Sequence, residues 1–252
     1  MNNYYSGQGS LYVATRSIVG VPLGFMRLGN VPELTIDIAT TIFEHKESES
    51  GVRGIDLTIT KENKGSFAFK MENLSLDTLA MGLYGTKSSV IAGTVTAGAP
   101  DIVKLYWGKR SPLAHPDVSN VVVKSAIGGT IYDVTDDYLV DAKNGILTGV
   151  SSGDGGAIAN ATDVYVSYDY AAVGKLDAFM VTAPERWLRF QGLNTVDGTS
   201  VLIDIFRAKF DPLTGYSLIN DELASASMKG TALADEFRLT GSKYFRQQNL
   251  AA

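Results

Sequence analysis

The stretch Glu33-Leu34-Thr35-Ile36-Asp37-Ile38-Ala39-Thr40-Thr41-Ile42-Phe43 alternates with a period of two. Leu34, Ile36, Ile38 and Ile42 fall on one parity, and Glu33, Thr35, Asp37, Ala39 and Thr41 on the other. That is the pattern of a long strand with one buried face and one wet face. The same alternation returns at Ile55, Leu57 and Ile59 against Asp56, Thr58 and Thr60, and again at Phe67, Phe69 and Met71. Lys61 to Gly65 lies between the last two runs and reads as the turn of a β-hairpin. Downstream, Arg186–Gly192 and Val201–Phe210 read as a strand pair around the turn Asn194–Gly198, Leu176–Thr182 as a further strand, and Ala226–Ala234 as the last. Ser75 is placed to cap a short helix whose Leu76, Leu79, Ala80 and Leu83 share one stripe, with Gly85 just past its end. The expected fold is mainly β: two packed sheets, as a β-sandwich or partial barrel, with one short flanking α-helix.

Charge divides the 252-residue chain more clearly than any linker does. Residues 1–89 hold nine acids and eight bases, and residues 175–252 hold nine of each, whereas residues 90–174 hold nine acids, all Asp, against five bases. This middle segment includes Gly149-Val150-Ser151-Ser152-Gly153-Asp154-Gly155-Gly156 and is rich in small turn-forming residues, so it reads as a small inserted β domain within a discontinuous main domain. Zero cysteines exclude disulfides, thiolate nucleophiles and sulfur-ligated zinc. A net charge of -5 argues against broad electrostatic capture of nucleic acid. The opening MNNYYSGQG has neither the basic nor the apolar region of a signal peptide, and the longest nearly apolar stretch, Ile18–Met26, is too short to span a bilayer. No membrane insertion is expected.

The inventory for catalysis is thin. Gly149-Val150-Ser151-Ser152-Gly153 matches a nucleophile elbow, but that motif requires a following helix and a later histidine, and both histidines, His45 and His115, precede it. His45 sits in a charged string, Glu44-His45-Lys46-Glu47-Ser48-Glu49, that lacks the convergent geometry of a metal site. The expectation is a chain that is not an enzyme, with no cofactor and no metal.

One whole-chain pattern carries more. Gly9-Ser10-Leu11-Tyr12-Val13-Ala14 leads to Gly24-Phe25-Met26-Arg27-Leu28-Gly29-Asn30-Val31-Pro32, then the long strand, then Glu44-His45-Lys46-Glu47-Ser48 and Ser50-Gly51. Later come Leu188-Arg189-Phe190-Gln191-Gly192-Leu193-Asn194-Thr195, Asp197-Gly198 and Met228-Lys229-Gly230-Thr231-Ala232-Leu233-Ala234-Asp235. In order and spacing these strings resemble the tail tube (major tail) proteins of bacteriophages with long, non-contractile tails. The resemblance covers residues 1–89 and 175–240 and leaves the role of the insert open.

That resemblance implies hexameric rings that stack into a virion tail tube, made in the host bacterial cytoplasm. The partners would be the chain itself, other phage tail proteins, and double-stranded DNA passing without sequence-specific binding. With about four strands per copy, roughly 24 strands close at a backbone diameter near ~48 Å, wide enough for a duplex. On this reading Leu34, Ile36, Ile38, Ile55, Leu57 and Ile59 form core, while Thr35, Asp37, Asp56, Thr58, Thr60 and Asp204 line a polar, mildly acidic channel. The charged loop Phe43–Gly54 would meet the next ring through Glu44, Glu47, Glu49 and Arg53, with Gly51 and Gly54 allowing the turn. The insert would lie outside the tube. The alternative is a soluble β-rich carbohydrate-binding or adhesin-type module, using tyrosines such as Tyr132, Tyr138, Tyr165, Tyr168 and Tyr170 as stacking platforms.

Overall fold

Antiparallel strands dominate the computed structural model, which describes residues 4–49, 51–215 and 217–250. In chain order the first elements are β1 (Gly7–Arg16), β2 (Pro22–Arg27), β3 (Glu33–Lys46), β4 (Ile55–Met71), the helix α1 (Leu76–Gly82) and β5 (Thr86–Val90). There follow β6 (Gly93–Val95), β7 (Asp101–Leu105), β8 (Arg110–Pro112), β9 (Val118–Lys124), β10 (Tyr138–Asp141), β11 (Ile146–Gly149) and β12 (Thr162–Tyr170). The chain ends with β13 (Val173–Asp177), β14 (Glu185–Asn194), β15 (Ser200–Phe210), β16 (Ala226–Ala232) and β17 (Phe245–Leu250). Two units result, one from residues 1–87 with 176–252 and the other from residues 88–175. The architecture is mainly β, as the alternation predicts, with one α-helix among the described residues.

The first unit is built on an eight-stranded sheet ordered β2-β1-β14-β15-β16-β4-β3, with β17 also paired to β15. Its core gathers Leu11 and Val13 of β1, Leu188 of β14, Ile205 and Phe210 of β15, Met228 of β16, and Phe67, Phe69 and Met71 of β4. Strands from both halves of the sheet thus share one core, so the sheet curls onto itself without closing into a barrel. Phe210 stands edge-on to Phe67 at 5.1 Å and to Phe69 at 6.0 Å. The helix starts where Ser75 accepts a hydrogen bond from the Thr78 amide, and Met81 enters the core. The left-handed residue after the helix is Tyr84, at φ 50°, its hydroxyl donating to the Phe210 carbonyl at 2.6 Å. Gly85 serves close approach instead, since a Cβ there would lie 2.8 Å from the Asp177 carbonyl oxygen.

The second unit has its own core. In its four-stranded sheet β12 pairs with β6 and β7 and with β9, and a three-stranded sheet runs β10-β11-β8. Val103, Leu105, Val123, Val164, Val166 and Tyr168 from the first sheet meet Tyr138 and Leu147 from the second. β10 and β11 join through the turn at Asn144-Gly145, where Gly145 takes φ 61°.

Three expectations are corrected. Lys61–Gly65 is not a turn: β4 runs unbroken for 17 residues, because β3 offers a partner along the whole stretch, pairing Thr40 with Asn63 and Thr41 with Glu62. The hairpin is instead β3–β4, closed by residues 47–54. The strand placed at Leu176–Thr182 ends at Asp177, and Phe179 adopts φ 57°, outside the extended region. Finally, Leu34 and Ile36 pack on the core as expected, but Ile38, Ile42, Ile55, Leu57 and Ile59 do not.

Candidate assembly surface

The outer part of the β3–β4 hairpin is an arm. From Ile38 to Lys46 and from Ile55 to Lys64 every described side chain except those of the closing loop is exposed, so neither face rests on the rest of its own unit. At ~3.4 Å per residue the arm reaches roughly 30 Å. Ile38, Ile42, Phe43, Ile55, Leu57 and Ile59 remain 41 to 67% exposed, too apolar for a permanently wet hairpin. An isolated two-stranded ribbon is marginal in water. Burying the exposed half of each such side chain is worth about 1 kcal/mol.

Register decides which residues share a face. Leu34 lies opposite Phe69, Ile36 opposite Phe67, and Ile38 opposite Gly65, all on the core-side parity. A bulge at Lys61, which is skipped between the pairs Thr41–Glu62 and Ile42–Thr60, then adds one residue to β4, so that Phe43 stands opposite Ile59 and Ile42 opposite Thr60. Because β3 keeps alternating, Ile42 stays on the face of Ile38, whereas Phe43, Leu57 and Ile59 fall on the opposite face, so the arm exposes apolar side chains on both faces. Lys61 Nζ lies 4.7 Å from the centre of the Phe43 ring.

The face away from Leu34 and Ile36 keeps Thr35 opposite Ala68 and Asp37 opposite Ser66, whereas Thr58 and Thr60, opposite Glu44 and Ile42, fall on the Ile38 face beyond the bulge. Because β4 is continuous, Glu62, Lys64 and Lys70 join the Thr35 face as well. The misplaced turn hid them, and on this face Lys64 and Lys70 stand beside Glu33, Asp37 and Glu62. Asp56 sits at a second bulge, between His45 and Lys46, with its Oδ1 2.6 Å from His45 Nδ1. His45 is thus a strand residue and not part of an irregular loop.

Asp204 leaves this set altogether. Its carboxylate, 1% exposed, accepts Trp187 Nε1 at 2.9 Å, Arg189 Nε at 2.7 Å and Arg189 Nη2 at 3.0 Å. On the same parity Phe206 is buried under Trp187, edge-on at 5.1 Å, and under Arg238, 3.5 Å from the ring centre. The outer side of β15 is covered and cannot line a wet wall.

In the closing loop Glu47 organises the turn from within: its amide donates to the Gly54 carbonyl at 2.9 Å, and its carboxylate accepts the amides of Glu49 at 2.8 Å and Gly54 at 3.4 Å. Glu44 lies in β3 opposite Thr58, while Glu49 and Arg53 are exposed. Gly51 takes φ 79° and Arg53 φ 53°, so the turn uses Gly51 for its backbone and Gly54 does not need to be left-handed. Ser50 of the quoted resemblance lies outside the described residues.

The motif at residues 149–153 holds no catalytic array. Ser151 Oγ donates to Asp154 Oδ2 at 2.5 Å, the chain continues into a three-residue 3-10 turn, Ser152–Asp154, and the His115 ring stacks on Tyr170 at 3.8 Å. Among the described residues no group of three or more His, Cys, Asp or Glu could hold a metal, and no helix is long and apolar enough to cross a membrane.

Residues 4–248 match the model of the family described as "Protein of unknown function UCP028589". A stretch of 69 residues is 42% identical to the tail sheath protein of Burkholderia phage BcepMu, covering 27% of this chain and 14% of that protein.

Proposed function

The chain belongs to the family whose model spans residues 4–248, and from that membership, the local likeness to a phage tail protein and the exposed arm, we propose that it is a structural protein of a bacteriophage tail. It assembles with copies of itself as stacked hexameric rings, and the rings form the tube through which the genome leaves. Its place is the virion tail after synthesis in the host cytoplasm, beside other tail proteins. The role is mechanical and not enzymatic, and it calls for no cofactor.

The observation that carries this reading is the β3–β4 arm, a long hairpin with exposed apolar side chains on both faces and no cover from its own unit. Another copy can bury the outer part of the arm, where Phe43, Leu57 and Ile59 share a face. Closure of the curled, open sheet against its neighbours would also remove the free edge of β3, a 14-residue strand that otherwise invites uncontrolled pairing. Nearer the core, the face with Thr35 and Asp37 suits a channel wall: Glu33, Asp37 and Glu62 outnumber Lys64 and Lys70 there, so the face offers sliding DNA no net cationic attraction. Residues 88–175, with a core of their own, form a module on the tube exterior.

Negative-stain microscopy of the purified chain at rising concentration tests the proposal. Rings or tubes are expected; a protein that stays monomeric throughout, with or without a tail initiation complex, would sink it.

A further inference from the structure

A second exposed apolar surface lies in the same unit. The turn after β1 and the start of β2 present Ile18, Val19, Val21 and Leu23, and the loop between β16 and β17 presents Phe237 and Leu239; Ile18 and Leu239 are each 93% exposed. The two segments touch: a Cβ on Gly20 would lie 3.0 Å from the Phe237 ring. Taking about 100 Å² for each fully exposed side chain, the patch offers on the order of 420 Å², the size of the largest patch on a typical monomer, which is often functional. It is also where the nearly apolar stretch Ile18–Met26, too short for a membrane, finds its place.

The sheet order fixes where this patch lies relative to the arm. Each step from β2 to β3 through β1, β14, β15, β16 and β4 reverses direction, so β2 and β3 run the same way. The patch stands at the beginning of β2 and the arm tip at the end of β3, hence at opposite ends of the strand direction. Two unlike apolar surfaces at opposite ends of one chain are the condition for head-to-tail association, which repeats along an axis.

We infer that the β1–β2 tip with Phe237 and Leu239 is the seat for the arm of a second copy, which lays Phe43, Leu57 and Ile59 against it. This rests on the proposed self-assembly and names the receiving surface. The size supports a second copy as the occupant: patch and arm side chains together would remove about 560 Å² of apolar surface, nearly half of the ~1,200 Å² at which specific interfaces begin, before any polar rim is counted.

The absence of native cysteine gives a direct test. Leu57→Cys and Leu239→Cys are made in separate chains, one carrying a small tag so that a mixed product has its own mass. Both positions are exposed, and circular dichroism checks that each variant folds. The two are mixed, assembled, imaged, and treated with a short bismaleimide. A mixed dimer at several-fold the yield of either same-variant dimer is expected, and an Ile18→Cys partner should give the same product. Rings or tubes that form without the mixed product, or that yield only Leu57–Leu57 dimers, overturn this seat and leave self-assembly standing. Absence of any assembly overturns both.

Discussion

Arg189 grips Asp204 at two points, Nε to Oδ1 at 2.7 Å and Nη2 to Oδ2 at 3.0 Å, on a carboxylate that is sealed from solvent. Trp187 supplies a third donor, and Arg246 of β17 lies 3.8 Å away, so one acid ties β14, β15 and β17 together. Asp204→Ala would leave Arg189 and Trp187 without that acceptor in a covered site. Loss of one partner of a buried pair costs about 3 to 5 kcal/mol, a fall of roughly 10 °C in melting temperature. Thermal unfolding followed by circular dichroism checks this, and a change under 3 °C, or about 1 kcal/mol, would mean the network is not a stabilising one.

Much of the main sheet can be read from the sequence because its signals are local. Period two marks β3, the Asn194–Gly198 turn marks β14 and β15, and Ser75 with its apolar stripe marks α1. What alternation cannot say is against what a face is buried. Leu34 and Ile36 carry the same pattern as Leu57 and Ile59, yet the first pair packs on this chain's core and the second is exposed on the arm. The bulge at Lys61 has no residue signature, and it moved Leu57 and Ile59 to the face opposite Ile38. Lys61–Gly65 has turn composition, but pairing with β3 overrides it. Asp204 read as wet because its partners Trp187 and Arg189 come from the neighbouring strand, and parity within one strand carries no information about them.

The second unit should be removable. Residues 85 and 177 are already in near contact, and β5 pairs with β13 where the chain leaves the first unit and returns to it. Replacing residues 88–175 with a short Gly-Ser linker is expected to leave a folded first unit that still forms rings. Microscopy and size-exclusion chromatography read the outcome; an insoluble or unfolded product would show that the main core depends on the insert.

Shortening the arm tip should separate folding from elongation. Exchanging residues 47–54 for a two-residue Asn-Gly turn keeps β3 and β4 paired, since their ladder extends to Lys46 and Ile55. The variant should keep its melting temperature to within a few degrees and fail to elongate. Tubes of ordinary length from this variant would remove Glu49 and Arg53 from the ring contact.

In the second unit, the Tyr168 hydroxyl donates to Asp101 Oδ2 at 3.0 Å. Burial first, and then that hydrogen bond and the negative charge of Asp101, push its pKa from 10.0 up to about 12. The folded value lies above the unfolded one, so the contribution to stability is whole below pH 10 and is lost as pH rises toward 12. Tyr168→Phe should cost about 1 kcal/mol at neutral pH and flatten the alkaline decline. Urea midpoints measured across that range decide it: an equally steep decline in the variant would assign the loss to other groups.

The acids of the arm give the last test. Asp37 is exposed opposite Ser66, and Asp56 is exposed beside His45, so exchange of both for Lys should spare the core and the ladder. With Lys64 and Lys70 already on the face of Asp37, the exchange turns a nearly balanced surface cationic in every copy of a ring. If the face lines the channel, each added charge supplies counterion-release affinity for passing phosphate, and six-fold repetition multiplies it. Assembled tubes should then retain duplex DNA at low salt and release it as salt rises, and virions carrying the variant should eject more slowly. DNA retention equal to that of the unaltered tubes at every salt concentration, in tubes confirmed by microscopy, would place Asp37 and Asp56 away from the channel wall.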